Sequence, residues 1–394
     1  MPETPKDEPT PTGAAGAEVP LGVNEMRLGW RQWLAVAAIV IACAAGIPRI
    51  WKRAERLDSG PDSRIPYRLS KDYWLYQWRL ERITDPTAVP MLGDSVVWGE
   101  YVRPDGTLTH FLNQETGQSG RFVNCGVNGL FPLAMDGLVD YYGGSLRNRK
   151  VMVHCNVLWM SSPKADLSNK KKQDFNHARL VPQFFPRIPC YGADTSERLS
   201  EIIDRRVGFF GWVGHLDNAY FDQQSIPAWT LQADDSRPPQ YPNAWRNPLA
   251  QITLTVPDEA EDDPDRGPSS PRHKPWTADQ AAAPARFDWV DPDASLQWQA
   301  FQRVIGLLRG RGNDVLVVLG PFNEHMIAPK QRPAFRELRD DIAAWLAAND
   351  VVCIIPETLP SDLYADASHP LTDGYQRLAK NVCGDAAFQS WLAR

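Results

Sequence analysis

Five short apolar runs, each followed by turn residues, with segments of helical character between them, limit this chain to a small set of folds. The runs are Val89-Pro-Met-Leu-Gly93, Phe122-Val-Asn-Cys-Gly126, Val151-Met-Val-His-Cys155, Asp314-Val-Leu-Val-Val-Leu-Gly320 and Val351-Val-Cys-Ile-Ile355. They are apolar almost throughout, as strands are when both faces are covered. Helices are predicted over 67–83, 132–142, 296–309, 333–348 and 372–392. This alternation predicts an α/β fold with a central parallel sheet under helices on both faces. In such sheets the functional groups gather at the carboxyl ends of the strands.

Three of those ends carry chemistry. The first run closes on Gly93-Asp94-Ser95, the second enters a turn at Asn128-Gly129, and the third is followed by Asn156. Far along the chain stands Asp366-Ala-Ser-His369-Pro370. A serine hydroxyl is a poor nucleophile at neutral pH unless a neighbouring base takes its proton. His369 can be that base, and Asp366 can orient its ring and fix the tautomer. The tetrahedral intermediate also needs donors aimed at its oxyanion. The backbone N–H of Ser95, the backbone N–H of Gly129 and the side-chain amide of Asn156 are placed to supply them. His325 also follows a strand, but it lacks the paired Asp, and His369 is preferred. Asn323 and Glu324 read as loop caps, His154 as a satisfied polar group in the sheet, and Asp94 and Asp373 as helix caps. Ser161 and Ser162 have no obvious base.

Taken together these segments resemble the SGNH (GDSL-like) hydrolase family. Gly93-Asp-Ser-Val-Val-Trp-Gly99 is similar to its nucleophile block. Asn124-Cys-Gly-Val-Asn-Gly129 resembles the block whose last glycine serves the oxyanion, and Asp366-Ala-Ser-His-Pro-Leu-Thr-Asp-Gly374 resembles the acid–base block. The third block departs: the family's Gly-x-Asn-Asp reads His154-Cys-Asn156-Val157 here. The resemblance covers roughly 87–159 and 296–392. It implies a flavodoxin-like three-layer α/β/α sandwich and ester chemistry through an acyl-serine. A membrane-anchored version also looks like proteins that O-acylate extracellular polysaccharide, which implies acylated carbohydrate, acetylated first of all, as substrate and a multi-pass acyl-donating partner. Two other readings stay open. One is a lipid-directed esterase or thioesterase that uses Phe209, Phe210 and Trp212 as an interfacial surface. The other is a non-catalytic anchored scaffold.

The rest of the chain frames that domain. Residues 1–29 read as a disordered tail rich in Pro, Gly, Ala and acid. Residues 30–48 read as a transmembrane anchor: no charge falls between Gln32 and Pro48, and about 17 residues at ~1.5 Å span about 26 Å. A cleaved signal peptide fits less well, because a basic cluster follows the apolar run. Basic residues favour a cytoplasmic C-terminal side, the family resemblance an exported one, and the exported face is preferred. Residues 49–84 read as a juxtamembrane linker and helix, and 85–394 as the hydrolase-like domain with a long irregular insertion at 160–295. The acidic run Asp258 to Asp263 lies in that insertion, and Arg205 to His215 is expected to form a packed helical hairpin. A net charge of −6 gives no basic surface for phosphate, so no nucleic-acid partner is expected. Neither a cofactor nor a metal is expected, since no CxxC or Cys/His spacing occurs. The six cysteines read as free thiols, with a Cys353–Cys383 bridge left open. The 15 tryptophans read as core filler ahead of a ligand-facing surface.

Overall fold

The computed structural model describes residues 28–57, 60, 62–232, 246–257, 274–277 and 287–394. The expected tail lies almost wholly outside them, as do the acidic run 258–263 and much of the insertion beyond 232. The chain divides into two units, residues 1–47 and 48–394. In the first, helix α1 (Trp30–Ala54) begins. It is the one described helix long and apolar enough to cross a membrane, with a mean hydropathy of 2.0. The helix runs on past Pro48 through Lys52 and Arg53, where a linker was expected. Pro48 removes one backbone donor inside this helix, which continues on both sides of it.

The second unit is built in chain order from α2 (Tyr73–Glu81), β1 (Val89–Gly93), α3 (Ser95–Trp98), α4 (Leu108–Thr116), β2 (Phe122–Gly126), α5 (Pro132–Tyr142) and β3 (Lys150–Cys155). Then come α6 (Thr195–Arg206), α7 (Gly208–Tyr220), α8 (Ile226–Thr230), α9 (Leu296–Gly310) and β4 (Asp314–Leu319). The chain closes with α10 (Arg332–Ala348), β5 (Val352–Ile354), α11 (Thr372–Gly384) and α12 (Ala386–Ala393). The five strands form one parallel sheet in the order β2-β1-β3-β4-β5. The chain steps from β1 outward to β2, then crosses back to β3 on the other side of β1. Connections leave in opposite directions at this point, the place where sheets of this kind commonly form a binding crevice.

Alternation along the strands divides the core. Val151, Val153, Val315, Val317 and Leu319 point to one face, where α5, α9 and α10 pack. Val89, Met91, Met152, Leu316 and Val318 point to the other, under α4, α11 and α12. Trp74, Trp78, Trp98, Trp159, Trp229, Trp298 and Trp391 are buried, in line with their reading as core filler. All six cysteines are free, so the Cys353–Cys383 bridge is not formed.

Local chemistry explains where boundaries moved. The helix expected over 67–83 breaks after a turn at Tyr67–Leu69, because Asp72 caps a new helix through the Leu75 N–H at 2.9 Å. The helix expected over 372–392 splits at Asp385, whose carboxylate accepts the N–H groups of Ala387 and Phe388. Asp373 is not a cap: α11 starts at Thr372, and its N-cap is Leu371. The insertion is less irregular than expected. A capping box at Asp194 and Glu197 starts α6, and α7 follows after Val207, so the segment 205–215 expected as a hairpin holds the end of one helix and the larger part of the next. α7 is pinned by buried His215, whose ring lies 2.6 Å from Asp72 and 2.8 Å from Glu55.

The end of β2 lies so close to the α3 backbone that Gly126 cannot be replaced freely. A Cβ there would lie 2.4 Å from the Trp98 backbone nitrogen. Gly126→Ala is expected to destabilise by about 1–3 kcal/mol through overpacking, measured as a lower denaturant midpoint at unchanged slope. An unchanged midpoint would show that the α3 backbone yields.

Candidate active site

Ser95 sits where β1 gives way to α3, as the first residue of that helix. Its N–H is one of the helix-start donors that have no partner within the helix. The turn is held on three sides. Asp94 caps it through the Val96 N–H at 3.0 Å, Tyr375 donates to the Val96 carbonyl at 2.7 Å, and Arg64 donates to the Trp98 and Gly99 carbonyls. Gly99 ends it in the left-handed region at φ +89°.

The structure brings His369 to this serine from 274 positions away. Its Nε2 lies 2.8 Å from Ser95 Oγ, and its Nδ1 lies 2.8 Å and 2.9 Å from the two Asp366 oxygens. With Nδ1–H donated to Asp366, Nε2 is the atom left to accept the serine proton. Asp366 is itself fixed by the N–H groups of Ser368 and His369, at 2.9 and 3.0 Å. The loop carrying both is moored to the residues after β4: Asn323 donates to the Asp366 and Ala367 carbonyls, and Tyr364 donates to the Phe322 carbonyl. His325, the rival base, instead lies with Nε2 3.2 Å from the Leu359 carbonyl oxygen. Glu324 meets Arg336, Arg339 and Thr358.

Asp94 does more than cap. Its Oδ2 accepts the Asn156 amide at 3.0 Å and the Trp159 indole N–H at 3.1 Å, and His154 Nδ1 lies 3.1 Å from Oδ1. Asn156 Oδ1 accepts the Leu158 N–H at 3.1 Å, so both ends of its amide are oriented. Each amide nitrogen carries two hydrogens, and Asp94 takes one of those on Asn156. Burial alone would raise the Asp94 pKa; the His154 and His369 rings and the Asn156 amide outweigh it and hold the carboxyl below its usual range.

Gly129 lies in a turn braced from the insertion. His177 Nε2 is 2.7 Å from the Asn128 carbonyl oxygen, and its Nδ1 is 2.9 Å from the Tyr73 hydroxyl. Burial keeps this ring neutral, with its pKa pushed down to about 4. Neutrality allows Nε2–H to donate to the carbonyl while Nδ1 accepts from Tyr73. Gly129 has φ +71°, and a Cβ there would lie 2.4 Å from Asn176 Nδ2. The role of His177 was hidden in the sequence, where nothing near it suggests contact with residue 128.

Burial works to lower the His369 pKa, but Asp366, then Glu100 and Asp94, outweigh it and raise the pKa to about 9. Glu100 Oε2 is 3.4 Å from Nε2. Asp366 is held down at about 2; burial opposes this, and the His369 ring and the two N–H groups prevail. The linked stability follows these directions. The histidine's contribution is complete below its ordinary pKa and is lost as pH rises through about 9, and the aspartate's is lost as pH falls towards about 2.

No protein-family model and no curated protein matches this sequence. Histidine NMR should show the His369 ring titrating near 9, and Glu100→Gln should move that titration to lower pH, because an anion favouring the imidazolium is gone. A ring titrating at the ordinary histidine value in both proteins would contradict this electrostatic account.

Proposed function

We propose that the protein is a serine-dependent esterase or O-acyltransferase acting on acyl esters of carbohydrate. Ser95 is the nucleophile, His369 the general base and then acid, and Asp366 the orienting carboxylate. The observation that carries this reading is the continuous chain Ser95 Oγ–His369 Nε2 at 2.8 Å and His369 Nδ1–Asp366 at 2.8 Å. His369 removes the serine proton as Oγ attacks the ester carbonyl, then delivers it to the departing alkoxide. The resulting acyl-serine passes its acyl group to water or to a sugar hydroxyl activated by the same imidazole. The N–H groups of Ser95 and Gly129 and the amide of Asn156 stabilise the oxyanion.

The strand order and the packing of helices on both faces support an SGNH-like sandwich of flavodoxin type. The apolar helix Trp30–Ala54 supports a single-pass membrane protein. We place its catalytic domain on the exported face, where acylated polysaccharide is found, with a multi-pass partner as the acyl donor when the reaction is a transfer. A scaffold that had lost the reaction would have no need to keep Ser95, His369 and Asp366 in hydrogen-bond register. Trp212 packs partly against the core and Phe210 is 43% exposed, so the lipid-directed reading keeps one exposed aromatic in its support.

Ser95→Ala should remove turnover of p-nitrophenyl acetate. Asp366→Asn should lower kcat by about 100- to 10,000-fold, because the wrong tautomer then faces the serine. Turnover persisting in Ser95→Ala at the parent rate would sink the assignment.

A further inference from the structure

A cavity of about 360 Å3 opens at Gly129, the residue assigned to the oxyanion. Its walls include Phe131, Leu133 and Ala134 from the start of α5, and Leu167, Phe175 and Val181 from the insertion. That volume lies in the range of small-molecule sites, which are commonly apolar with few polar groups. We propose that this cavity receives the acyl chain of the ester held on Ser95, and that the acyl group is a linear chain longer than acetyl. The inference rests on the Ser95 reading above and adds the substrate's acyl class to it.

The direction of the chain follows from the topology. When Ser95 Oγ bonds to the carbonyl carbon, its proton moves to His369 Nε2, and the same proton leaves with the alkoxy oxygen. The leaving group must therefore stand on the His369 side. His369 arrives on a loop moored to Phe322 and Asn323 beyond β4, and Tyr375 of α11 supports the serine turn from the face shared with α4. Gly129 follows β2 on the far side of β1, and the cavity belongs to the face covered by α5 and α9. Gly129 lines the cavity, so an acyl chain that leaves the carbonyl carbon on the Gly129 side, away from the His369 loop, enters it.

The walls are preorganised. Asp166 is buried and accepts the N–H groups of Leu296 and Gln297 at 3.2 and 3.1 Å, which fixes the insertion to the start of α9. Gln297 in turn accepts the Leu133 N–H at 2.9 Å and so ties in α5. Leu167 is held in the left-handed region at φ +63°, a conformation uncommon for a branched side chain and kept only where the surroundings enforce it. A mainly apolar pocket fixed in advance, with Lys164 and Asp174 also among its lining residues, favours each additional methylene that its apolar walls bury.

The test uses the full chain in lipid nanodiscs, with empty discs subtracted. Across p-nitrophenyl acetate, butanoate, hexanoate and octanoate, kcat/KM should rise about fourfold per methylene until the cavity is filled. Ala165→Phe narrows the cavity from a half-buried wall position and should bring the octanoate-to-acetate ratio towards one. Binding is measured separately by calorimetry of octanoate with Ser95→Ala, which needs no turnover: binding that is lost on adding Ala165→Phe supports the cavity. A flat or falling series with Ser95-dependent turnover, or octanoate binding indifferent to Ala165→Phe, overturns the acyl-pocket assignment and leaves the nucleophile standing. Hydrolysis that survives Ser95→Ala overturns the underlying reading instead.

Discussion

The carboxylate of Asp94 holds the centre of this molecule together. It directly precedes Ser95 with 2% of its surface exposed and gathers a backbone N–H, an amide and an indole around two oxygens, with the His154 ring 3.1 Å away. A buried carboxylate is tolerated only when such partners replace its water. Those partners come from α3 and from β3 and the turn after it, so one charge ties together the carboxyl ends of two strands that the sheet already pairs, the ends that carry Ser95 and Asn156. The negative charge also bears on His369 and, with Asp366 and Glu100, favours its protonated form. In the proposed reaction this favours the imidazolium formed during attack, at the cost of a free ring that is a base only at higher pH.

Much of this was legible in the sequence because its signals are local. Short apolar runs closed by Gly-Asp-Ser or by a glycine turn identify strands and the residues that follow them, and parallel order brings such residues to one edge. Asp366 and His369 were readable as a pair because three residues of separation lets one turn bring carboxylate and ring together. Helix boundaries were less legible where a side-chain cap competes with helical periodicity. Asp72 and Asp385 each start a new helix inside a segment that otherwise reads as continuous.

The insertion was the least legible part, and its contribution explains why. His177 steadies the Asn128–Gly129 turn across 49 positions, and Asp166 reaches α9 across 130. Neither contact has a periodic or motif-like signature. Both become visible only when the parallel sheet has fixed where the loops after β2 and β3 emerge. The insertion thus braces the Asn128–Gly129 turn and walls the cavity beside it, while the sheet and the Asp366–His369 loop bring Ser95 and its imidazole partner together.

The central claim is that Ser95 is made nucleophilic by His369. Tandem mass spectrometry of the full chain after exposure to an alkyl fluorophosphonate tests it most directly. The account predicts a single phosphonyl adduct on the peptide containing Ser95, with its formation slowed at least a hundredfold in His369→Ala, on the order of the loss expected for a missing general base. An adduct on another serine, or one on Ser95 that forms equally fast without His369, would contradict it.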